Sequence, residues 1–270
     1  MAYLTVGKTI ISSRADTFND PGGGLDTVKW TMIDIGGGLP QTPRDIDATG
    51  LELREPGTAT QAPDVYQSAL VLNQPLTCRI SMSVKSTSRV GSGSGAFITL
   101  YRPDLAVGLK RLAARVGFTG PAAGIPGGTF QLWWRQQFTN ITFAQALDTY
   151  YRVGLEVDAE AGVVRGYLNP TANTQTSAGD AGLEFRTSFA IDSGTSPYDD
   201  GSVYAGVGLS GSALSDDDFS GADNVLVEEW RVPFTATPPG GAFFTTLEDP
   251  YAVYKSTMTL HERLNRAQLV

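Results

Sequence analysis

Three carboxylates at alternate positions, in Glu156-Val157-Asp158-Ala159-Glu160, are the residues best spaced for acid–base chemistry. On a single strand, period two would put all three on one face. The apolar phase Tyr151, Val153, Leu155, Val157 runs out at Asp158, however, and Ala159-Glu160-Ala161-Gly162 reads as a turn before Val163 restarts a strand. A carboxylate in a turn is solvated, with no burial to raise its pKa and no fixed distance to a partner. Glu160 is therefore expected to face water, no catalytic residue is assigned, and the chain is expected not to be an enzyme. Glu156 alone is left to face a groove. The only histidine, His261, lies beside Glu262 and Arg263, which suits a solvated residue better than a nucleophile triad. Gly22-Gly23-Gly24 and Gly36-Gly37-Gly38 lead into strand or loop, so they read as turn glycines and not as a phosphate cradle.

A second set of residues suits binding. In Phe130-Gln131-Leu132-Trp133-Trp134-Arg135-Gln136, strand alternation puts Phe130, Leu132 and Trp134 on one face and Trp133 and Arg135 on the other. Around the later hairpin, Val153 and Leu155 point inward while Tyr150, Arg152 and Glu156 point away, with Arg165, Tyr167 and Tyr204 as further members. If these strands are neighbours, one non-core face carries Trp133, Arg135, Tyr150, Arg152, Glu156, Arg165, Tyr167 and Tyr204. Flat aromatic rings and planar charged forks suit the stacking of sugar rings and the bonding of their hydroxyls. The same composition marks protein interfaces, which is the slightly stronger expectation of the two.

The elements that must position these residues are strands. Alternating apolar runs of five to nine residues recur at 28–34, 50–54, 68–72, 76–85, 96–101, 111–118, 128–137, 149–157, 162–168, 182–191, 202–209 and 224–232, separated by Gly, Pro, Asn, Asp and Ser. Phe143 to Leu147 could form one helical turn. With 41% hydrophobic residues to fill a core and 31 glycines and 15 prolines to turn the chain, the pattern predicts an all-β, two-sheet antiparallel jelly-roll sandwich. The stretch 247–268 follows the linker Thr235-Ala236-Thr237-Pro238-Pro239-Gly240-Gly241 and reads as an arm, helical as one option. The expected organisation is an N-terminal arm at 1–13, the sandwich at 14–234 and a linker with an assembly arm at 235–270.

A net charge of −8 and a pI near 4.7 speak against nucleic acid as a partner, because phosphate binding needs clustered Lys and Arg. The single Cys78 rules out an intrachain disulfide and, within a strand-like run, reads as a buried, inert thiol. No apolar run reaches the length of a membrane span, and the first residues lack a secretion-signal pattern, so neither membrane nor secretory export is expected. No cofactor is expected. Asp216-Asp217-Asp218 with Asp223 nearby offers the hard oxygen ligands calcium takes; a solvated acidic loop is the stronger expectation, with calcium at Asp216, Asp218 and Asp223 as the alternative.

Asp16-Thr17-Phe18-Asn19, then Leu25-Asp26-Thr27-Val28-Lys29-Trp30, then Gly50-Leu51-Glu52-Leu53 resemble the opening of concanavalin A-like (laminin G-like) domains. Tyr151 to Asn169 resembles that family's central hairpin, and Ala222-Asp223-Asn224-Val225-Leu226-Val227-Glu228 its last core strand. The resemblance covers about residues 14–234 and implies a jelly roll, in some relatives with a calcium at the rim. Glu156-Val157-Asp158-Ala159-Glu160 also resembles the Glu-x-Asp-x-Glu signature of family 16 glycoside hydrolases, in which three acids on one strand serve as nucleophile, orienting carboxylate and acid/base. The missing secretion-signal pattern, the single cysteine, the predominance of Arg among the basic residues and the long flanking arms together resemble bacteriophage virion proteins. The expected function is thus a non-catalytic virion surface protein, a capsid decoration or tail-associated subunit. Its expected partners are itself, other virion proteins and host glycans. A lectin-like carbohydrate-binding module is the alternative and a family 16-like hydrolase the third.

Overall fold

The computed structural model describes residues 9–18, 25–33, 45–47, 50–54, 64–67, 71–72, 76–86, 95–105, 111–119, 129–134, 137–143, 146, 149–159, 161–172, 182–191, 202–210 and 219–231. Residues 12–229 form one compact unit; residues 1–11 and 230–270 form another, of which 9–11 and 230–231 are described. In chain order the strands are β1 (Thr9–Asp16), β2 (Trp30–Ile33), β3 (Asp45–Asp47), β4 (Gly50–Arg54), β5 (Asp64–Gln67), β6 (Thr77–Ser86), β7 (Gly95–Tyr101) and β8 (Arg111–Thr119). They continue with β9 (Thr129–Trp134), β10 (Gln137–Thr142), β11 (Tyr151–Asp158), β12 (Val163–Leu168), β13 (Glu184–Ala190), β14 (Tyr204–Ser210) and β15 (Phe219–Arg231). No helix occurs among the described residues.

The strands form two sheets. The larger runs β13-β12-β11-β6-β15-β4-β3, with β1 also paired to β15, and the smaller runs β10-β9-β8-β7-β14-β5-β2. Neighbours along both paths are antiparallel. The inward faces alternate as a two-layer sandwich requires. Ile80, Met82 and Val84 from β6 and Val153, Leu155 and Val157 from β11 meet Val116, Phe118, Phe130 and Leu132 from β8 and β9, all fully buried. Trp134 is core and Trp133 is not, as alternation predicts. Cys78 is buried on the core face, where desolvation pushes its thiol pKa up.

The opening motif acts as a clasp between the layers. Asp16 Oδ1 accepts the Phe18 backbone N–H and holds Phe18 at φ 52°, while Asp16 Oδ2 accepts the Trp30 indole N–H at 2.7 Å. The Phe18 and Trp30 rings then pack with centroids 4.7 Å apart. One carboxylate thus satisfies a buried indole in β2 from its place in β1.

The structure adds four strands to those expected: β1, β3, β5 and β10. β3 and β5 are three and four residues long, too short for period two to stand out. Residues 9–13, expected in an arm, belong to β1. The expected strand at 68–72 is described only at 71–72, where Leu72 makes a single bridge to Val203. The expected turn at 143–147 is described only at 143 and 146, and the 235–270 arm lies outside the described residues.

On its core side β12 carries a glycine, Gly166. A Cβ at Gly166 would stand 3.3 Å from both Leu132 Cβ and Phe130 Cζ of the opposite sheet. Neighbours held in a packed core yield little, so added bulk there is overpacking. Gly166→Val is expected to lower stability by about 1–3 kcal/mol, seen as a drop in the urea midpoint at unchanged slope.

Candidate functional site

The site is built on β11, which is buried on both faces along its whole length. Its odd positions fill the core, so Arg152, Gly154, Glu156 and Asp158 stand on the outer face of the larger sheet. Cross-strand register then sets their neighbours. Glu156 lies directly opposite Arg165 of β12 on one side and Arg79 of β6 on the other, and Arg79 in turn faces Glu228 of β15. Charges of alternating sign therefore run straight across four strands, the pairing that cross-strand neighbours favour.

Glu156 is only 1% exposed, and three donors converge on its carboxylate. Arg165 Nη1 lies 2.5 Å from Oε1; Arg79 Nη2 and the Tyr167 hydroxyl lie 3.2 and 3.1 Å from Oε2. The Arg79 guanidinium also sits over the Tyr167 ring, 4.8 Å from its centroid. Burial raises the Tyr167 pKa, and the Glu156 charge adds to it, so the phenol stays protonated and donating. Asp158, two residues on, accepts the Ala161 backbone N–H at 2.9 Å and closes the hairpin, its other oxygen 4.0 Å from Arg165 Nη1.

The two arginines are not sealed in. Their side chains keep 27% and 30% of their surface exposed. Phe185 of β13 lies opposite Tyr167, edge to face at 6.1 Å, and is 57% exposed. Glu156, Arg79, Arg165, Tyr167 and Phe185 therefore make a charged floor beside an open aromatic ring. Arg79 and Phe185 were not among the residues expected from sequence.

The expected single face is divided. Trp133 and Tyr204 lie on β9 and β14 of the smaller sheet, because β9 pairs with β8 and β10 and never with β11. Arg165, Tyr167 and Glu156 come together as expected. Arg152 shares their face but is 1% exposed and bonded inward, its Nη1 to the Asn224 carbonyl and its Nη2 to Ser81 Oγ at 2.7 Å. It braces the bulge between Asp223 and Leu226, where Asn224 adopts φ 50°. Tyr150 stands six residues along from Glu156, roughly 20 Å away, packed under Lys85 Nζ. Arg135, Glu160, Asp216, Asp218, His261 and the two glycine triplets lie outside the described residues.

Of the three residues given as alternative calcium ligands, Asp223 is described. It is 3% exposed, and its oxygens accept the Asn224 backbone N–H at 2.6 Å and the Asn224 amide at 3.1 Å. No group of three metal-binding side chains occurs among the described residues.

No family model matches the chain, and no curated protein matches it. Solved structures do. A laminarinase from Rhodothermus marinus superposes with a TM-score of 0.55 at 11% identity, over 83% of this chain and 98% of its own. A seed lectin from Lotus tetragonolobus gives 0.53 at 8%, over 82% and 99%. An immunostimulatory antigen and pseudo β-1,3-glucanase of Mycobacterium tuberculosis gives 0.51 at 13%, over 80% and 98%.

At such identities the likeness carries the fold alone, and that fold is the concanavalin A-like jelly roll. The expectation that the chain is no enzyme does not stand. It rested on Glu160 in a turn, whereas laminarinases share this architecture, and Glu156 and Asp158 stand on the strand itself with both carboxylates on one face. Nothing in these likenesses points to a bacteriophage particle.

Asp223 gives the face a pH signature. Burial raises its pKa from 3.8 to about 6, the nearby Asp16 charge adding and Asn224 and Arg152 opposing. The folded chain thus holds a proton that the unfolded chain releases near pH 4, so this contribution to stability is full below pH 4 and lost as pH rises through about 6. Asp223→Asn should flatten the pH dependence of the urea midpoint between about pH 4 and 6; an unchanged slope there would assign it to another group.

Proposed function

We propose that the chain is a carbohydrate-binding protein whose sugar site is the outer face of the larger sheet around Glu156. One observation carries the reading: a buried carboxylate holds two partly exposed arginine side chains beside the exposed ring of Phe185. Planar N–H donors fixed by a charge bond sugar hydroxyls without reorganising, and a flat exposed ring receives the apolar face of a pyranose. Pre-ordering matters because a shallow sheet face has little area to offset the cost of holding a ligand. That lectins and laminarinases share the fold supports a saccharide as partner, with β-glucan the first to try.

Hydrolysis is the second reading, favoured by one feature. Glu156 and Asp158 alternate on one strand, which puts two carboxylates on one face, and glycoside hydrolysis works through a carboxylate pair.

Titration calorimetry with laminaritetraose tests the site. Phe185→Ala and Arg165→Ala should each weaken binding about tenfold, a loss near 1.4 kcal/mol, with the thermal midpoint of Phe185→Ala little changed. Unaltered affinity in both variants sinks the assignment. Release of reducing ends from laminarin, abolished in Glu156→Gln, would establish hydrolysis at the same face.

A further inference from the structure

The outer face of the smaller sheet carries an aromatic group that the site around Glu156 does not use. Arg115 of β8, Trp133 of β9 and Phe138 of β10 stand directly opposite one another in register. The Arg115 guanidinium lies 4.0 Å from the Trp133 ring centroid, and the Phe138 ring stacks on Trp133 at 4.5 Å and 22°. The three planes form one pile along the sheet. Trp133 is its filling, covered on both ring faces.

The pile ends in an open ring. Among the described residues β10 is the edge strand of its sheet, and Phe138 on it is 48% exposed. Next to it on the same face is an ordered amide. The Trp133 indole N–H donates to Gln131 Oε1 at 2.9 Å, and Gln131 Nε2 donates to Asn140 Oδ1 at 2.6 Å. That chain of bonds fixes the amide of solvent-exposed Asn140 with its oxygen engaged, and leaves its N–H groups as what a ligand meets. Phe138 and Asn140 are two residues apart on one strand, roughly 6.8 Å, about the span of one sugar ring with its hydroxyls.

Charge narrows the occupant. The strands β8, β9 and β10 contain no Asp or Glu in a chain that has 28, and Arg115, the positive charge of the pile, lies flat against Trp133. The outermost groups, a phenyl ring and an amide, are neutral. An exposed aromatic on an edge strand invites self-association, and natural sheets usually blunt such edges with charge. Here the ring is kept and a fixed hydrogen-bond donor is placed beside it.

We propose that Phe138 and Asn140 form a second saccharide platform, for a neutral glycan, on the opposite side of the sandwich from Glu156. The pyranose face stacks on the outer face of Phe138, and a ring hydroxyl accepts from Asn140 Nδ2. Gln131 acts as a positioning residue, and Trp133 as the support that holds the ring upright. A protein with one platform on each outer face cross-links glycan chains or holds one polymer at two points.

The test uses the full chain on an array of neutral gluco- and galacto-oligosaccharides that includes laminaritetraose. Phe185→Ala, which weakens the first face about tenfold, should leave residual binding, and adding Phe138→Ala and Asn140→Ala should weaken it further. The assigned indole N–H signal of Trp133, identified by its loss in Trp133→Phe, should shift on titration with the glycan retained by Phe185→Ala. Complete loss of binding in Phe185→Ala alone overturns the second platform and leaves the first standing. So does a Phe138→Ala variant that binds as wild type, or one that only converts an oligomer to a monomer in light scattering with glycan binding unchanged. A wild-type chain that binds no glycan on the array removes both platforms.

Discussion

A carboxylate held almost out of contact with water in the middle of a sheet is tolerable only if its charge is met on every side, and Glu156 is met from both neighbouring strands. Arg79 and Arg165 sit in register on β6 and β12, and the Tyr167 hydroxyl donates to Oε2 beside Arg79. Removing either arginine would strand the buried negative charge of Glu156, the costly half of breaking a buried pair. The opposite face of the same strand is packed against the second sheet by Val153, Leu155 and Val157. β11 is therefore constrained twice, by apolar packing inward and by charge pairing outward. A slip of one residue would turn the charges into the core and the valines outward.

That double constraint makes the outer face usable. Side chains that hold each other through buried hydrogen bonds keep their exposed ends in place, which surface arginines seldom do. Arg152 shows the same device spent on structure: fully buried and bonded to Ser81 and the Asn224 carbonyl, it holds the bulge of β15 in shape and has no face left for a ligand. Two arginines on one face of one sheet thus differ in role because one lies beside a bulge and the other beside a hairpin.

The concanavalin A-like sandwich is shared by proteins that bind sugars and proteins that cut them, so the fold leaves the chemistry to whatever stands on its outer surfaces. In this chain those surfaces are unlike. The larger sheet presents paired charges around Glu156, and the smaller a neutral stack ending in Phe138. Each is organised by residues that never leave their own sheet, which is why variants on one face should not disturb the other.

The strand pattern and the inward residues were legible because period two is local: Leu132 and Trp134 against Trp133, or Val153 and Leu155 against Glu156, follow from spacing alone. So was the end of β11 at Asp158, where the apolar phase stops. Which outward residues share a surface was not, since that depends on strand order, and β9 and β11 lie in different sheets. Arg79 was in phase to be found, but nothing local says that β6 pairs with β11. Phe185 was hidden more deeply. It and Phe189 are four apart and would share a face on a regular strand, yet a bulge opposite Gly166 and Tyr167 turns Phe185 out beside Tyr167 while Phe189 packs on the core. Sequence by itself determined most of the elements and, along the regular strands, the side each residue takes, because those follow from neighbouring residues. Register, bulges and sheet order come from long-range pairing, and only the tertiary structure decided which side chains meet.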